Sequence, residues 1–470
     1  MDQSKQLGEE KVLKLLMKFS VPAIIGMVVN ALYNVVDRIF VGNGVGSLGI
    51  AGITIAFPIM VFMMACQMLI GLGANSLIAI RLGEGKKEEA ELILGNTFIL
   101  LVIQAFAVAI GGTLLLDKLL IVSGASAAVL PYARDYIYII LWGGIFQSIG
   151  FGMNHIIRSE GNPKVAMFTM LIGAILNTIL DPLFIFVFDW GIKGAALATI
   201  IAQAVSGAWV LYHFISKRGT LRFKAVNFKL NFAITKSIFA LGSAPFAMQL
   251  AASLLNVIMN KALTTHGGDI AISGMGVVMS ISTLILMPIF GINQGSQPII
   301  GYNYGAKNYD RVKETLKLAI IGATGISILG YIGTQLFPSQ MVAFFNPEDA
   351  ELIAFGTRAI RIYLALVPII GFQIVSANYF QAVGKPKHAG FLSLSRQVLV
   401  LIPALLILPK FFQLDGALMA GPVADLVSSI VTAIFIIREM KKLGIQHEDQ
   451  ENMRENKGNS RYGLEPQREN

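Results

Sequence analysis

Twelve apolar runs of twenty-odd residues, separated by short polar breaks, constrain this chain more than any motif. They cover 17–41, 50–76, 92–116, 131–153, 165–189, 192–215, 233–260, 271–297, 316–337, 354–380, 389–409 and 413–437. A helix needs about 20 apolar residues to cross hydrocarbon, and only helices or closed barrels can satisfy their backbone there. A soluble fold is excluded on composition: 14% of residues are charged and 55% hydrophobic, against roughly 25% charged in soluble proteins. The sequence therefore predicts an all-α integral membrane protein with twelve transmembrane helices. The first run lacks a small-residue cleavage site, so it is expected to remain as a span and not to leave as a signal peptide.

Charge placement predicts orientation. The 37 basic and 28 acidic residues give a net charge of +9. Twenty-four of the basic residues fall in alternate breaks and around the chain ends, and eight in the other breaks. That excess marks the cytoplasmic face, so both termini are expected in the cytoplasm of a bacterium, with the chain a multi-pass protein of the inner membrane. The positive charge is thus topology, and no nucleic-acid partner is predicted; the bilayer is the expected partner, and the protein is expected as a monomer. A single cysteine, Cys66, excludes an internal disulfide. Gly44-x-Gly46-x-x-Gly49 matches a dinucleotide fingerprint but follows a membrane helix and has no acid about 20 residues on. There is no Walker sequence, HExxH or GxSxG, and the five histidines are scattered. No enzyme and no cofactor are predicted.

The sequence repeats itself at an offset of about 222. Gly73 to Gly83 maps onto Gly295 to Gly305, and Gly161-x-Pro163-Lys164 onto Gly384-x-Pro386-Lys387; Gly194-Ala195 maps onto Gly416-Ala417, and Pro22 onto Pro245. Six spans per repeat is an even number, so both repeats start on the same face. They are expected as two six-helix lobes related by a pseudo-twofold axis along the membrane normal. The boundaries read as a first lobe at 1–215, a cytoplasmic linker at 216–236, a second lobe at 237–440 and a tail at 441–470. The polar stretch 447–470 is expected to be disordered.

Acids inside membrane helices are costly and mark function. Asp37, Asp181 and Asp425 stand inside spans. At ~1.5 Å per residue, Asp37 lies ~28 Å up span 1, Asn177 and Asp181 ~20 and ~26 Å up span 5, and Thr199 ~12 Å below the outer surface in span 6. Asn177 and Asp181 share one helix face, and Pro182 frees the Thr178 carbonyl. Two carboxylates, an amide and a hydroxyl suit a small hard cation such as Na⁺. A proton suits them equally, since two neighbouring carboxylates in a dry pocket cannot both stay charged. The structural alternative is interhelical hydrogen bonding, with Asp37 paired to Arg38. The repeat carries Asp37, Asp181 and Asn177 onto Asn260, Pro403 and Leu399, so such a site is expected in one lobe only. Arg396 and Asp425 are expected as a structural ion pair. Asn30, Tyr33, Tyr136, Met170, Gln203, Gln249, Asn256 and Gln373 are candidates to line a cavity between the lobes, methionines adapting to varied apolar shapes and aromatics attracting cations.

Val36-Asp37-Arg38-Ile39-Phe40-Val41-Gly42, Asn177-x-x-x-Asp181-Pro182 and GIKGAALAT ending at Thr199 resemble the MATE multidrug and toxin extrusion transporters, above all the bacterial MepA-like and DinF-like branches. The resemblance extends to about residue 440. It implies export of cationic amphipathic compounds in exchange for Na⁺ or H⁺, by rocking of two lobes. It also implies a first-lobe cation site made of Asp37, Asn177, Asp181 and Thr199. Another branch uses acids in helices 7 and 10, where this chain has only Gln249, Asn256 and Gln373. A flippase for lipid-linked oligosaccharide is the alternative on related architecture, but its anionic lipid calls for a basic cavity. A channel and a membrane-embedded enzyme or scaffold are the readings from other classes.

Overall fold

The computed structural model describes residues 4–216, 219–345 and 347–462, and every regular element among them is helical. In the first half a short α1 (Gln6–Glu9) precedes α2 (Val12–Gly44), α3 (Ser47–Gly83), α4 (Lys87–Leu114), short α5 (Leu116–Val122), α6 (Leu130–Ser159), α7 (Pro163–Pro182) and α8 (Gly191–Ile215). The second half holds α9 (Phe232–Gly305), α10 (Tyr309–Leu336), short α11 (Pro338–Ala343), α12 (Ala350–Tyr363), α13 (Val367–Ala382), α14 (Pro386–Leu394) and α15 (Ile402–Tyr462). Among the described residues ten helical stretches are long and apolar enough to span a membrane, or eleven with α12 and α13 as one span bent by 50°. One of them, Pro386–Ile445, is 60 residues long and turns at Gln413, where φ is 50°. Two crossings therefore lie within it, which makes twelve.

Proline explains where spans depart from straight helices. Pro368, at the start of α13, has no N–H for the Leu364 carbonyl, and the bend falls there. A π-helical turn at Leu183–Val187 follows Pro182, and another at Ser395–Leu401 precedes Pro403, each where a proline disrupts the regular ladder. Repeated turn chemistry ends matching helices. Gly161 and Gly384 take φ of 102° and 75°, and the next residues, Asn162 and Lys385, donate back to the Ile157 and Phe380 carbonyls at 3.1 and 2.8 Å. Glycine closes such a C-terminus without Cβ strain.

The lobes interlock through the same residues in each repeat. Leu7 of α1 and Leu15, Leu16 and Phe19 of α2 are buried in a core built mainly by the second half, while Ile238 of α9 is fully buried in a first-half core. Backbones meet so closely that a Cβ on Gly83 would stand 1.9 Å from the Tyr302 carbonyl oxygen, and one on Gly305 2.1 Å from that of Ile80. Asn75 Nδ2 donates to Gln297 Oε1 at 3.5 Å, and these two residues occupy the same place in the two repeats. The pseudo-twofold axis passes between them. All these approaches lie in the half of the molecule nearer the chain termini. Toward the opposite face the close glycine approaches stay within one lobe, as between Gly44 and Ile185 or Gly267 and Leu414. The cleft between lobes is thus closed by these approaches on the termini side, and none of them bridges it toward the far side.

The segment between lobes is strapped to the first lobe. Leu221 N donates to Glu160 Oε2 at 3.0 Å, and Glu160 also bonds His213, both side chains buried. Lys224 Nζ pairs with buried Glu91 at 2.5 Å, and that carboxylate holds the Lys224 ammonium above its ordinary value. Asn96 donates to the Lys229 carbonyl at 3.2 Å and accepts from Asn231 N at 2.7 Å. Phe98, Phe214, Phe223 and Phe228 cluster beside it, Phe223 stacked on Phe228 and the other ring pairs edge to face. Asn231 caps α9 by accepting from Ala233 N and Ile234 N, so helix begins at Phe232, inside the linker expected at 216–236. Residues 217–218 of that linker and 463–470 of the expected tail lie outside the described residues. Before them α15 continues to Tyr462, through a stretch rich in Glu, Gln, Lys and Arg, all strong helix formers.

Candidate functional site

Three helices of the first lobe converge on one buried polar cluster. Asp37 comes from α2, Asn177 and Asp181 from α7, and Thr199 from α8. Their exposures are 8%, 2%, 0% and 6%. Asn177 Nδ2 donates to Asp181 Oδ1 at 3.2 Å and to Thr199 Oγ1 at 3.3 Å, while the Thr199 hydroxyl donates to the Ala195 carbonyl one turn back at 3.1 Å. The i, i+4 spacing of Asn177 and Asp181 makes their contact local. Meeting Asp37 and Thr199 depends on helix packing. The Asp37 and Asp181 carboxyls lie within hydrogen-bonding reach of each other, and Tyr33 and Tyr136 stand close to both. Asp37 makes no ion pair with Arg38 among the described residues; that arginine is exposed.

The cluster is short of positive charge and of donors. Asp37 Oδ1, Asn177 Oδ1 and Asp181 Oδ2 are buried without a hydrogen-bond partner among the described atoms. An unsatisfied buried acceptor costs about 1–3 kcal/mol, more when charged. A shared proton or a small cation removes that cost at several oxygens together. All available donor atoms are oxygens, which suits a hard ion. No group of three His, Cys, Asp or Glu placed to hold a metal occurs among the described residues, so the donor set does not resemble a transition-metal centre.

The other expected cavity residues are dispersed. Tyr136 is 2% exposed and packs in the first-lobe core beside the acids, not on an open wall. Tyr33, Asn30 and Gln203 are half-buried. Met170 is half-buried at the closed end of the cleft, where its sulfur accepts from Arg158 Nη2 at 3.5 Å and abuts Gly26. In the second lobe Gln249 is half-buried, Asn256 exposed and Gln373 buried. Arg396 and Asp425 form the expected pair, with Nε donating to Oδ1 at 2.6 Å. Sequence reasoning missed Arg158 as an interior group, counting it only among the basic residues of one face. It also missed the Glu160–His213 pair, because contacts across 53 residues leave no spacing signal.

Comparison with known proteins agrees with this architecture. The sequence profile of the MatE family matches residues 22–183 and again 245–406, two segments offset by 223 residues. The multidrug export protein MepA of Staphylococcus haemolyticus is 26% identical over 433 residues, covering 92% of this chain and 95% of its own length. MepA of a Staphylococcus aureus strain is 24% identical over 438 residues, covering 93% and 96%. The structure of the MATE multidrug transporter DinF-BH with a bound dye superposes with a TM-score of 0.86 at 42% identity, over 93% of this chain and 98% of that one. A MATE transporter described as outward-facing gives 0.88 at 25% identity over the same shares. With both lobes matched by the family profile and the twelve-helix fold shared throughout, this chain belongs to the MATE family of multidrug efflux transporters.

Proposed function

We propose that this protein is a secondary antiporter that exports cationic amphipathic compounds in exchange for Na⁺ or H⁺. The observation that carries this reading is the trio of partnerless oxygens on Asp37, Asn177 and Asp181, buried where two carboxyls adjoin. Such a cluster binds a proton or a small cation strongly when dry. Rearrangement of α2 against α7 changes how many oxygens the ion meets, so occupancy favours one lobe arrangement over the other. The basic residues put the termini face in the cytoplasm, which makes the cleft outward-open. Small organic cations are the substrate class, in keeping with relatives named for multidrug export and with one described in complex with a dye.

The test is ethidium export from proteoliposomes with Na⁺ and pH gradients imposed independently. Asp37→Asn and Asp181→Asn are expected to abolish gradient-driven export to the level of empty vesicles while the melting temperature holds. Unchanged export in both variants rejects the site. The gradient that drives the wild type identifies the ion.

A further inference from the structure

Arg158, near the end of α6, is 4% exposed. No described carboxylate pairs with it, and no neighbouring charge offsets its burial. Its guanidinium reaches across the lobe boundary to Gln294 Oε1 on α9 and donates to Met170 Sδ. Gln294 sits ~16 Å from the end of α9 and Met170 ~10 Å from the start of α7, so the guanidinium is held among the helices, not at their tips. It lies at the level where Gly291 packs on Ile24 and Gly295 on Ser20, the floor of the cleft. The nearest titratable group acting with it is His155, one turn back, whose Nε2 has no partner.

Each buried acid is engaged elsewhere: Asp37 and Asp181 in the first-lobe cluster, Asp425 with Arg396, Glu160 with His213 and Leu221 N, Glu91 with Lys224 and Glu439 with Lys385. Burying an arginine without an acid is strongly unfavourable, and arginine stays charged at neutral pH. The floor it occupies is polar: Asn75, Gln297 and Ser20 stand in the same seam, and polar seams admit water. A fixed positive charge in a narrow, low-dielectric constriction repels protons and metal cations that small polar groups would let through.

We propose that Arg158 is the selectivity residue of the inner seal: its charge blocks cation leak through the closed end while the cleft is open on the other side. A coupled exchanger needs such a barrier, since each ion that slips past dissipates the gradient without moving substrate. This role rests on the cleft being a cation pathway, as proposed above. It is tested without drug, so its failure is distinct from failure of the coupling site.

The experiment is a leak assay in drug-free proteoliposomes under a K⁺/valinomycin potential, with entrapped pyranine or a Na⁺ reporter. Arg158→Gln is expected to raise H⁺ or Na⁺ leak at least about tenfold over wild type, and Arg158→Lys to stay tight. Gln294→Glu keeps and strengthens the bond to the guanidinium but neutralises its field, so it is also expected to leak. It supplies a partner for a buried charge, which keeps the assay informative should Arg158→Gln not fold. A tight Gln294→Glu protein overturns the proposal and makes the contact a mechanical strut. A folded Arg158→Gln protein that stays tight overturns it too. Drug export by the wild type in parallel vesicles reports separately on the transport reading.

Discussion

The two lobes are built on one plan and differ in where positive charge comes from. In the first lobe the fifth membrane helix carries Asn177 and Asp181 just before a π-helical turn, and their oxygens, with those of Asp37, lack partners. In the second lobe the fifth helix carries Arg396 inside its own π-helical turn, and the guanidinium binds Asp425 of the next crossing at 2.6 Å. One lobe holds two adjoining buried carboxyls with no fixed cation paired to them; the other has its cation covalently attached. Under the proposed exchange, the duplicated scaffold dedicates one copy to the ion and the other to a fixed wall, because a side-chain charge that cannot leave cannot be exchanged. Where the copies must act together they remain alike, as at Gly83 and Gly305.

The sharpest way to break this comparison is to unpair the second lobe. Asp425→Ala leaves Arg396 without its acid and is expected to cost about 3–5 kcal/mol, with the lower end favoured because the arginine side chain is 26% exposed. Replacing both residues, as in an Arg396→Met, Asp425→Leu protein, is expected to restore stability while gradient-driven export persists. Thermal unfolding in detergent checks the first part and ethidium export the second. If the double variant loses coupling as completely as Asp181→Asn, the second lobe is not a passive wall.

A smaller effect tests the likeness. Gly83→Ala and Gly305→Ala each place a methyl against a carbonyl of the other lobe, a strain of about 1–3 kcal/mol confined to the state closed at the termini face. Spin labels at Val122 and Phe344, 87% and 88% exposed and equivalent in the two repeats, report the spread of the far ends. Both variants are expected to move the distance distribution toward the alternative state by a similar amount, about tenfold in population per 1.4 kcal/mol. Unequal shifts mean the lobes do not close symmetrically.

The smallest effect lies at the N-terminus, where the first half holds on to the second. Leu7 is fully buried in the second-half core, its carbonyl accepting from Asn303 and Arg311, while Gln6 donates to the Gly161 carbonyl of the first lobe at 2.7 Å. Lys14 and then Lys18 hold the nearby Glu10 carboxyl below its ordinary value of 4.5. A depressed carboxyl adds stability above pH 4.5 that disappears as pH falls through its folded-state value. Glu10→Gln is therefore expected to cost less than about 1 kcal/mol at pH 7 and progressively less as pH falls below 4.5, as unfolding across that range checks.

Much of this was legible in the chain. Crossing hydrocarbon demands about 20 apolar residues in a row, a local requirement, so spans and their number can be read directly. The repeat was equally plain in its glycines and prolines, since turn geometry restricts residue type at single positions. Asn177 and Asp181 were legible as a pair because a helix fixes i and i+4. The bend between α12 and α13 escaped because Pro368 could have stood inside a continuous kinked helix, and the strapping of residues 219–231 because its partners Glu91, Asn96 and Glu160 lie far away in sequence.

The sequence by itself determined that the chain is a duplicated bundle of twelve membrane helices, since apolar length and turn chemistry act over a few residues. Only tertiary structure decided which buried polar groups are satisfied. Asp425 found an arginine, Asp37 and Asp181 found each other, and Arg158 found no acid, because a buried charge is compensated by whatever packing brings within a few ångströms, and the chain order does not specify that.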